Sequence, residues 1–373
     1  MAKLALIRLI SRRVFPDSVS FRLLRILGID YERGGEPVEK VFVSRFLGGC
    51  DGAFCVSIDF DNRRDDRVEV DREATLEILA LCEEFNIPVT WAVCGLTAVR
   101  EKNVFQRILA SKVKHELAIH TFDHVDFSSP ECTEEVARTQ ILRTISLLPP
   151  ENRRETFIFP WNKAGHFNIL NELGFIAYRG RERKLAYPSK NNGLWNIHPL
   201  FYLSEKNYTY SSVLKALLDL AISREAVFHL WFHPWNLEKN GDASRYVEDT
   251  LRPLFQHVES RRREGKLWVC TLGDIANYCE ARSQAKVSYV ENGGSVDVSV
   301  ECRVDETRFR RNQVLTLGVR ILRDVGEIRV SLDGSLIPTE SLVFKKTGWG
   351  AGVLYLDLFF DGYFKNLHLD FEP

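Results

Sequence analysis

Residues 117–124 read Leu117-Ala118-Ile119-His120-Thr121-Phe122-Asp123-His124, an apolar run with the texture of a buried strand that ends in two imidazoles four residues apart. Histidines at this spacing can face one metal ion from a single turn of backbone, so metal-assisted hydrolysis is the first chemistry the segment suggests. A chain with nine histidines also produces such pairs by chance, and the weight of this one depends on its neighbours.

Two other apolar runs end the same way. Ser57-Ile58-Asp59-Phe60-Asp61-Asn62 closes the first with two carboxylates around one aromatic. Side chains alternate along an extended chain, so Asp59 and Asp61 share a face and Phe60 takes the other. Two acids in a strand that otherwise prefers Val and Ile are costly unless a metal or hydrogen bonds compensate. Val227-Phe228-His229-Leu230-Trp231-Phe232-His233-Pro234-Trp235 is the second. Proline holds His233 extended, and alternation puts His229, Trp231 and His233 on one face. His233 then stands at the rim where parallel-barrel active sites assemble, while His229, two pleats deeper, reads as a core histidine.

From Phe54 to about Arg282 such runs alternate with helix-like stretches, the pattern of an α/β domain with parallel strands. Strands are expected at 54–59, 88–94, 115–120, 156–160, 174–178, 226–233 and 266–271. Helices are expected at 71–85, 131–148, 164–173, 209–223, 243–262 and 272–281. Some seven β/α units favour a closed or nearly closed barrel over an open sheet, and no fixed-period repeat supports a solenoid. Beyond Arg282 the texture becomes Val-rich and alternating, as in Ser295-Val296-Asp297-Val298-Ser299-Val300, with turns at Gly293-Gly294, Asp333-Gly334 and Asp361-Gly362. That is an all-β signature, and a small antiparallel sandwich is expected over 283–373. Trp349, Tyr355 or Tyr363 would be its carbohydrate contacts, although buried aromatics explain the same residues.

With 373 residues, one large and one small domain is the natural division. Fifty Lys and Arg against 51 Asp and Glu leave a formal charge of −1, which argues against a polynucleotide partner. Eight cysteines without a C-x-x-C pair, mostly single inside apolar runs, fit a reducing compartment. No apolar run approaches a bilayer span and no secretory signal is evident, so a cytoplasmic location is expected. Residues 1–48 form a basic extension, with seven Lys/Arg against three Asp/Glu in the first 35. Within it, residues 1–27 carry two amphipathic helix patterns broken at Pro16. These suit either packing on the main domain or peripheral contact with an anionic membrane surface.

Taken together, the Asp-bearing end of strand one, His-Thr-x-x-His after strand three, a Pro160-containing turn after strand four and a late strand ending at His233 resemble the polysaccharide deacetylases of carbohydrate esterase family 4, the NodB-type homology domain. Lys266-Leu267-Trp268-Val269-Cys270-Thr271-Leu272-Gly273-Asp274-Ile275 resembles that domain's last strand and helix. The likeness spans residues 49–282 in the family's order, and His233-Pro234-Trp235 resembles a subgroup associated with extracellular-glycan assembly. It implies a distorted (β/α)7 barrel that hydrolyses the N-acetyl group of an amino sugar, a carbon–nitrogen bond. By the same likeness Asp61, His120 and His124 hold one divalent metal ion, with zinc the default and cobalt, nickel or iron compatible. Asp59 would be general base and His233 general acid, with a backbone N–H near Lys163 at the oxyanion. Pro160, Trp161, Lys163, Trp231 and Trp235 would line the substrate.

The chain departs from the family pattern in three places. Its two aspartates are separated by one residue, as in a branch resembling lipid-linked sugar deformylases. Ile158 stands where an arginine would anchor the base, so Arg179 or Lys163 must supply that cation, or the pKa of Asp59 rises. Trp231 replaces a leucine and reshapes the acyl pocket. The leading expectation is removal of acetyl from an N-acetylhexosamine unit of a glycan or lipid-linked precursor. A deformylase or other amidohydrolase on the same barrel, or a non-catalytic glycan-binding protein, are the alternatives.

Overall fold

The computed structural model describes residues 29–31, 39–61, 68–150, 155–204, 210–237, 246–311, 313–322, 327–348 and 351–372. It divides into two compact units, residues 1–34 with 52–276, and residues 35–51 with 277–373.

The larger unit is a curled, half-barrel sheet of parallel strands: β1 (Gly52–Phe60), β2 (Thr90–Val93), β3 (Glu116–Ile119), β4 (Thr156–Ile158), β5 (Ala177–Arg179), β6 (Leu194–Asn196), β7 (Phe201–Tyr202), β8 (Val227–Phe232) and β9 (Leu267–Val269). Their order is β7-β8-β1-β2-β3-β4-β5-β6, with β9 also on β1 and Ser189–Asn191 antiparallel on β6. All nine residues of β1 are buried, as a strand covered on both faces requires. Among the described residues no strand pairs the two ends of the sheet, so the expected barrel is curled and incompletely closed.

Helices α1 (Val68–Phe85), α2 (Gly95–Arg100), α3 (Lys102–Leu109), α4 (Glu134–Ile145), α5 (Phe167–Glu172), α6 (Ser211–Ser223), α7 (Arg252–Arg263) and α8 (Leu272–Gln284) link the strands. Each buries one stripe: in α1 Ala74, Ile78, Leu81 and Cys82 recur at helical spacing and are buried. Helix α4 starts where the Thr133 side chain accepts from Val136 N–H, with Glu134 and Glu135 beside the positive end of its dipole. Phe54 of β1 stacks on Phe228 of β8 at 5.6 Å and meets Phe255 of α7 edge-on at 6.3 Å, tying sheet to helix layer.

The smaller unit has two antiparallel sheets. One runs Lys286–Asn292, Ser295–Glu301, Phe364–Glu372, Glu327–Leu332, Ser335–Leu336, and the other Val343–Gly348, Ala351–Phe360, Gln313–Ile321, Val41–Val43. Val296, Val298 and Val300 point inward while Asp297 faces solvent, the alternation read from the sequence. Val41–Val43 is a correction to the reading of residues 1–48 as one helical extension, because it supplies the edge strand beside Gln313–Ile321. The membrane expectation for residues 1–27 lies outside the described residues. Trp349 also lies outside them, and Tyr355 is a core residue, buried and edge-on to Phe42 at 6.4 Å. Among the described residues no helix is long and apolar enough to cross a membrane.

Candidate active site

The functional side chains stand at the carboxyl ends of β1, β3, β5 and β8, the rim where ligands meet parallel sheets. Asp59 and Asp61 point to one side of β1, while Phe60 turns outward to stack on Phe105 at 6.4 Å. His124 Nε2 lies 3.1 Å from Asp61 Oδ2, and His120 Nε2 lies 3.9 Å from the same oxygen. His233 Nε2 is 3.6 Å from Asp61 Oδ2 and 3.6 Å from Asp59 Oδ2. Three segments far apart in sequence therefore converge on one point, as the strand-ending pattern predicted.

The His120 ring is held from behind. His120 Nδ1 donates to the carbonyl of Ile158 at 2.7 Å, which leaves the Nε2 lone pair facing the carboxylates. Burial pulls the His120 pKa down to about 4, keeping the ring neutral as a metal ligand must be. The loop carrying both histidines is under backbone strain, with Thr121 at φ 61° and His124 at φ 58°, and a β-branched residue rarely adopts that conformation. A clamp from α4 holds it: Gln140 Oε1 accepts from Phe122 and Asp123 N–H at 3.0 and 2.8 Å, and its amide donates to Asp123 Oδ2 at 2.9 Å. Gly95 admits the Phe122 ring, which a Cβ there would meet at 2.4 Å.

Arg179, the last residue of β5, is the cation that reaches Asp59. Its two Nη atoms each donate to one oxygen of Asp59 at 2.7 Å, and both side chains are buried. Burial alone would raise the Asp59 pKa. The Arg179 guanidinium, with His120 and His233, outweighs it and holds the carboxyl well below the usual range. Arg179 also donates to Ser57 Oγ at 3.0 Å, and Ser57 hydrogen-bonds His229 Nε2 at 2.8 Å. Because His229 Nδ1 must donate to the Ile197 carbonyl at 3.1 Å, Ser57 is the donor to Nε2. His229 is therefore a neutral core residue, its pKa brought to about 3 chiefly by burial, as the sequence suggested.

The expected substrate-lining residues separate. Trp161 is 53% exposed at φ 58° and meets His124 edge-on with ring centroids 5.3 Å apart, and Trp235 stacks on His233 at 4.4 Å. Trp231 instead covers Arg179 at 4.3 Å and stacks on Tyr202 at 4.2 Å, and Pro160 is buried in the turn. Of the two cations expected to reach Asp59, Arg179 does so and Lys163 does not. The Lys163 ammonium pairs with Asp126 at 2.5 Å, and its own N–H closes the turn onto Pro160 O at 3.1 Å.

Asp61, His120 and His124 each offer a ligand atom, and these atoms lie within 4.8 Å of one another. Both Asp61 oxygens and His120 Nε2 are buried without a hydrogen bond, although such groups are normally satisfied. A divalent cation satisfies all three at once, so the residues fit a metal.

The fold is similar to that of solved structures described as polysaccharide deacetylases. Residues 48–149 match the family model described as "Polysaccharide deacetylase". A solved structure from Mycobacterium smegmatis, described as a polysaccharide deacetylase, has TM-score 0.53 and 17% identity over 68% of this chain and 96% of its own. One from Pseudomonas aeruginosa PAO1, described likewise, has TM-score 0.50 and 15% identity over 63% of this chain and 92% of its own. At such identities the likeness is one of fold. No curated protein matches the chain in sequence.

Proposed function

We propose that the chain removes the N-acetyl group from an amino sugar in a glycan or lipid-linked glycan precursor, with one divalent ion, zinc by default, on Asp61, His120 and His124. The observation that carries this reading is the five-residue convergence, in which His233 Nε2 stands 3.6 Å from both Asp59 and Asp61 while Arg179 grips Asp59 from the other side. A bound ion would supply Lewis acidity, polarising the acyl carbonyl and acidifying water.

The chain's own groups do the proton work. Asp59, ionised and fixed by Arg179, accepts the proton of the attacking water. Protonated His233 gives its Nε2 proton to the departing amine, so one proton is taken and one delivered per turnover. Trp161 and Trp235 offer rings on either side of the histidines against which a sugar face can stack. A cytoplasmic site of action, at a membrane surface through residues 1–27, belongs to the same proposal. It is supported by eight free thiols, seven of them buried.

A second reading, removal of formyl, is favoured by the one-residue spacing of Asp59 and Asp61. Acetate and formate release from a panel of N-acylated sugars, with and without chelator, separates the two. Acetate release that chelator abolishes and that Asp59→Asn lowers by about 100-fold or more is the expected result. Formate release alone establishes the second reading, and turnover by the Asp59→Asn variant above about a tenth of wild type overturns the role of Asp59.

A further inference from the structure

Asn236 lies three residues past His233, in the turn that follows β8, and is fully buried. Its Oδ1 accepts from the backbone N–H of His233 at 2.8 Å and faces the ring Nδ1 of the same residue at 3.0 Å. Its Nδ2 donates to the hydroxyl of Tyr202 at 3.0 Å.

We propose that Asn236 is a positioning residue that fixes the tautomer of His233, keeping a proton on Nδ1 so that only Nε2 exchanges protons with the reaction. The inference rests on the reading of His233 as proton donor, and on three steps. A backbone N–H can only donate, so the side-chain atom that meets it must be the amide oxygen; the flipped amide would set donor against donor. That oxygen also faces Nδ1 and has no proton to give, so Nδ1 must carry one. In the neutral ring Nε2 is then the bare nitrogen, and it is the atom that points at Asp59 and Asp61, 3.6 Å from each.

The lock is built into local geometry. The Asn236 N–H donates back to His233 O at 2.9 Å, closing the turn, and Trp235 between them stacks on the imidazole at 4.4 Å and 25°. Ring plane, ring rotation and proton position are thus set by three consecutive elements of one turn, with Tyr202 of β7 holding the far end of the amide. An imidazole free in water exchanges between tautomers, and a share of its encounters would present the wrong nitrogen state to a substrate.

The test is a long-range 1H–15N spectrum of histidine-labelled full-length protein as purified, at about pH 8.5, where an unperturbed imidazole is neutral. His233 is assigned by the signal lost in His233→Gln. The wild type should show Nδ1 protonated and Nε2 bare. Asn236→Leu, which offers no acceptor, should move the population toward the Nε2–H form, and Asn236→Asp, which keeps the acceptor, should restore Nδ1–H. His229, held independently by Ile197 O, reports whether each variant is folded. In the release assay Asn236→Leu should lower kcat by about tenfold or more with KM within about twofold. A wild-type His233 protonated on Nε2 overturns the proposal outright, as does a tautomer that Asn236→Leu leaves unchanged in a folded protein. Because the spectrum needs no turnover, failure of the proposed activity and failure of the lock are read separately.

Discussion

At the residue scale, the proposed base Asp59 is governed by its partner. Arg179 and Asp59 form a buried, bidentate pair at 2.7 Å, and removing one member strands the other's charge away from water. Arg179→Met should therefore cost about 3–5 kcal/mol of stability, read by urea unfolding above pH 6 or so, and turnover should fall with it. A loss under about 1 kcal/mol would show that Asp59 does not depend on this cation. Asp59, Asp61, His120 and His233 were legible because each stands at the end of a strand, where a charged or ligating residue interrupts an apolar run without structural reason, and His124 through its four-residue spacing from His120. Arg179 was one of two candidates, since sequence alone does not say which cation reaches across the sheet. Asn236 and Gln140 escaped notice because their types are ordinary: an Asn in a turn and a Gln on an amphipathic helix look solvated until their buried partners are seen.

At the element scale, the opposite end of the sheet holds a further buried acid. Glu116 begins β3 and accepts from Gly273 N–H at 3.0 Å and Thr90 Oγ1 at 2.7 Å, anchoring the start of α8. Burial first, and then the nearby Glu155, raise its pKa from 4.5 to about 7. A carboxyl whose folded pKa is raised binds its proton more tightly when folded. Its stabilisation is therefore complete below about pH 4.5 and lost as pH climbs through about 7, some 3 kcal/mol in order of magnitude. Glu116→Gln should flatten the fall in melting temperature between about pH 5 and 8. An unchanged pH profile would mean that Glu116 is ionised in the fold without penalty. Strands β1 to β5, β8 and β9 were readable as apolar runs, with ends shifted by a few residues. Strands β6 and β7 were not, being two or three residues long, too short to show a period, with Asn196 closing β6 and His198 and Pro199 between the two. The expected helix 243–262 is a π turn at Val247–Leu251 running into α7, a distinction that side-chain periodicity does not resolve.

At the scale of the whole molecule, chain order and unit order differ. Val41–Val43 precedes the parallel sheet in sequence yet pairs with Gln313–Ile321 of the smaller unit, and Phe42 packs on Tyr355. A truncation after Arg282 therefore strands an apolar edge strand and should give aggregated protein by size-exclusion chromatography. A monodisperse product with unchanged melting would show that this pairing contributes little. The alternation of Val residues revealed the sandwich, but three residues at 41–43 carry too little pattern to announce a partner some 270 positions away.

Asp61, His120 and His124 are proposed to form one metal site between Asp59 and His233. Zinc titration of chelator-stripped protein by calorimetry tests it most directly, comparing the wild type with His124→Ala. About one tight site per chain is expected, which the substitution weakens by at least two orders of magnitude or so. No stoichiometric binding by the wild type, or equal binding by the folded variant, would contradict it.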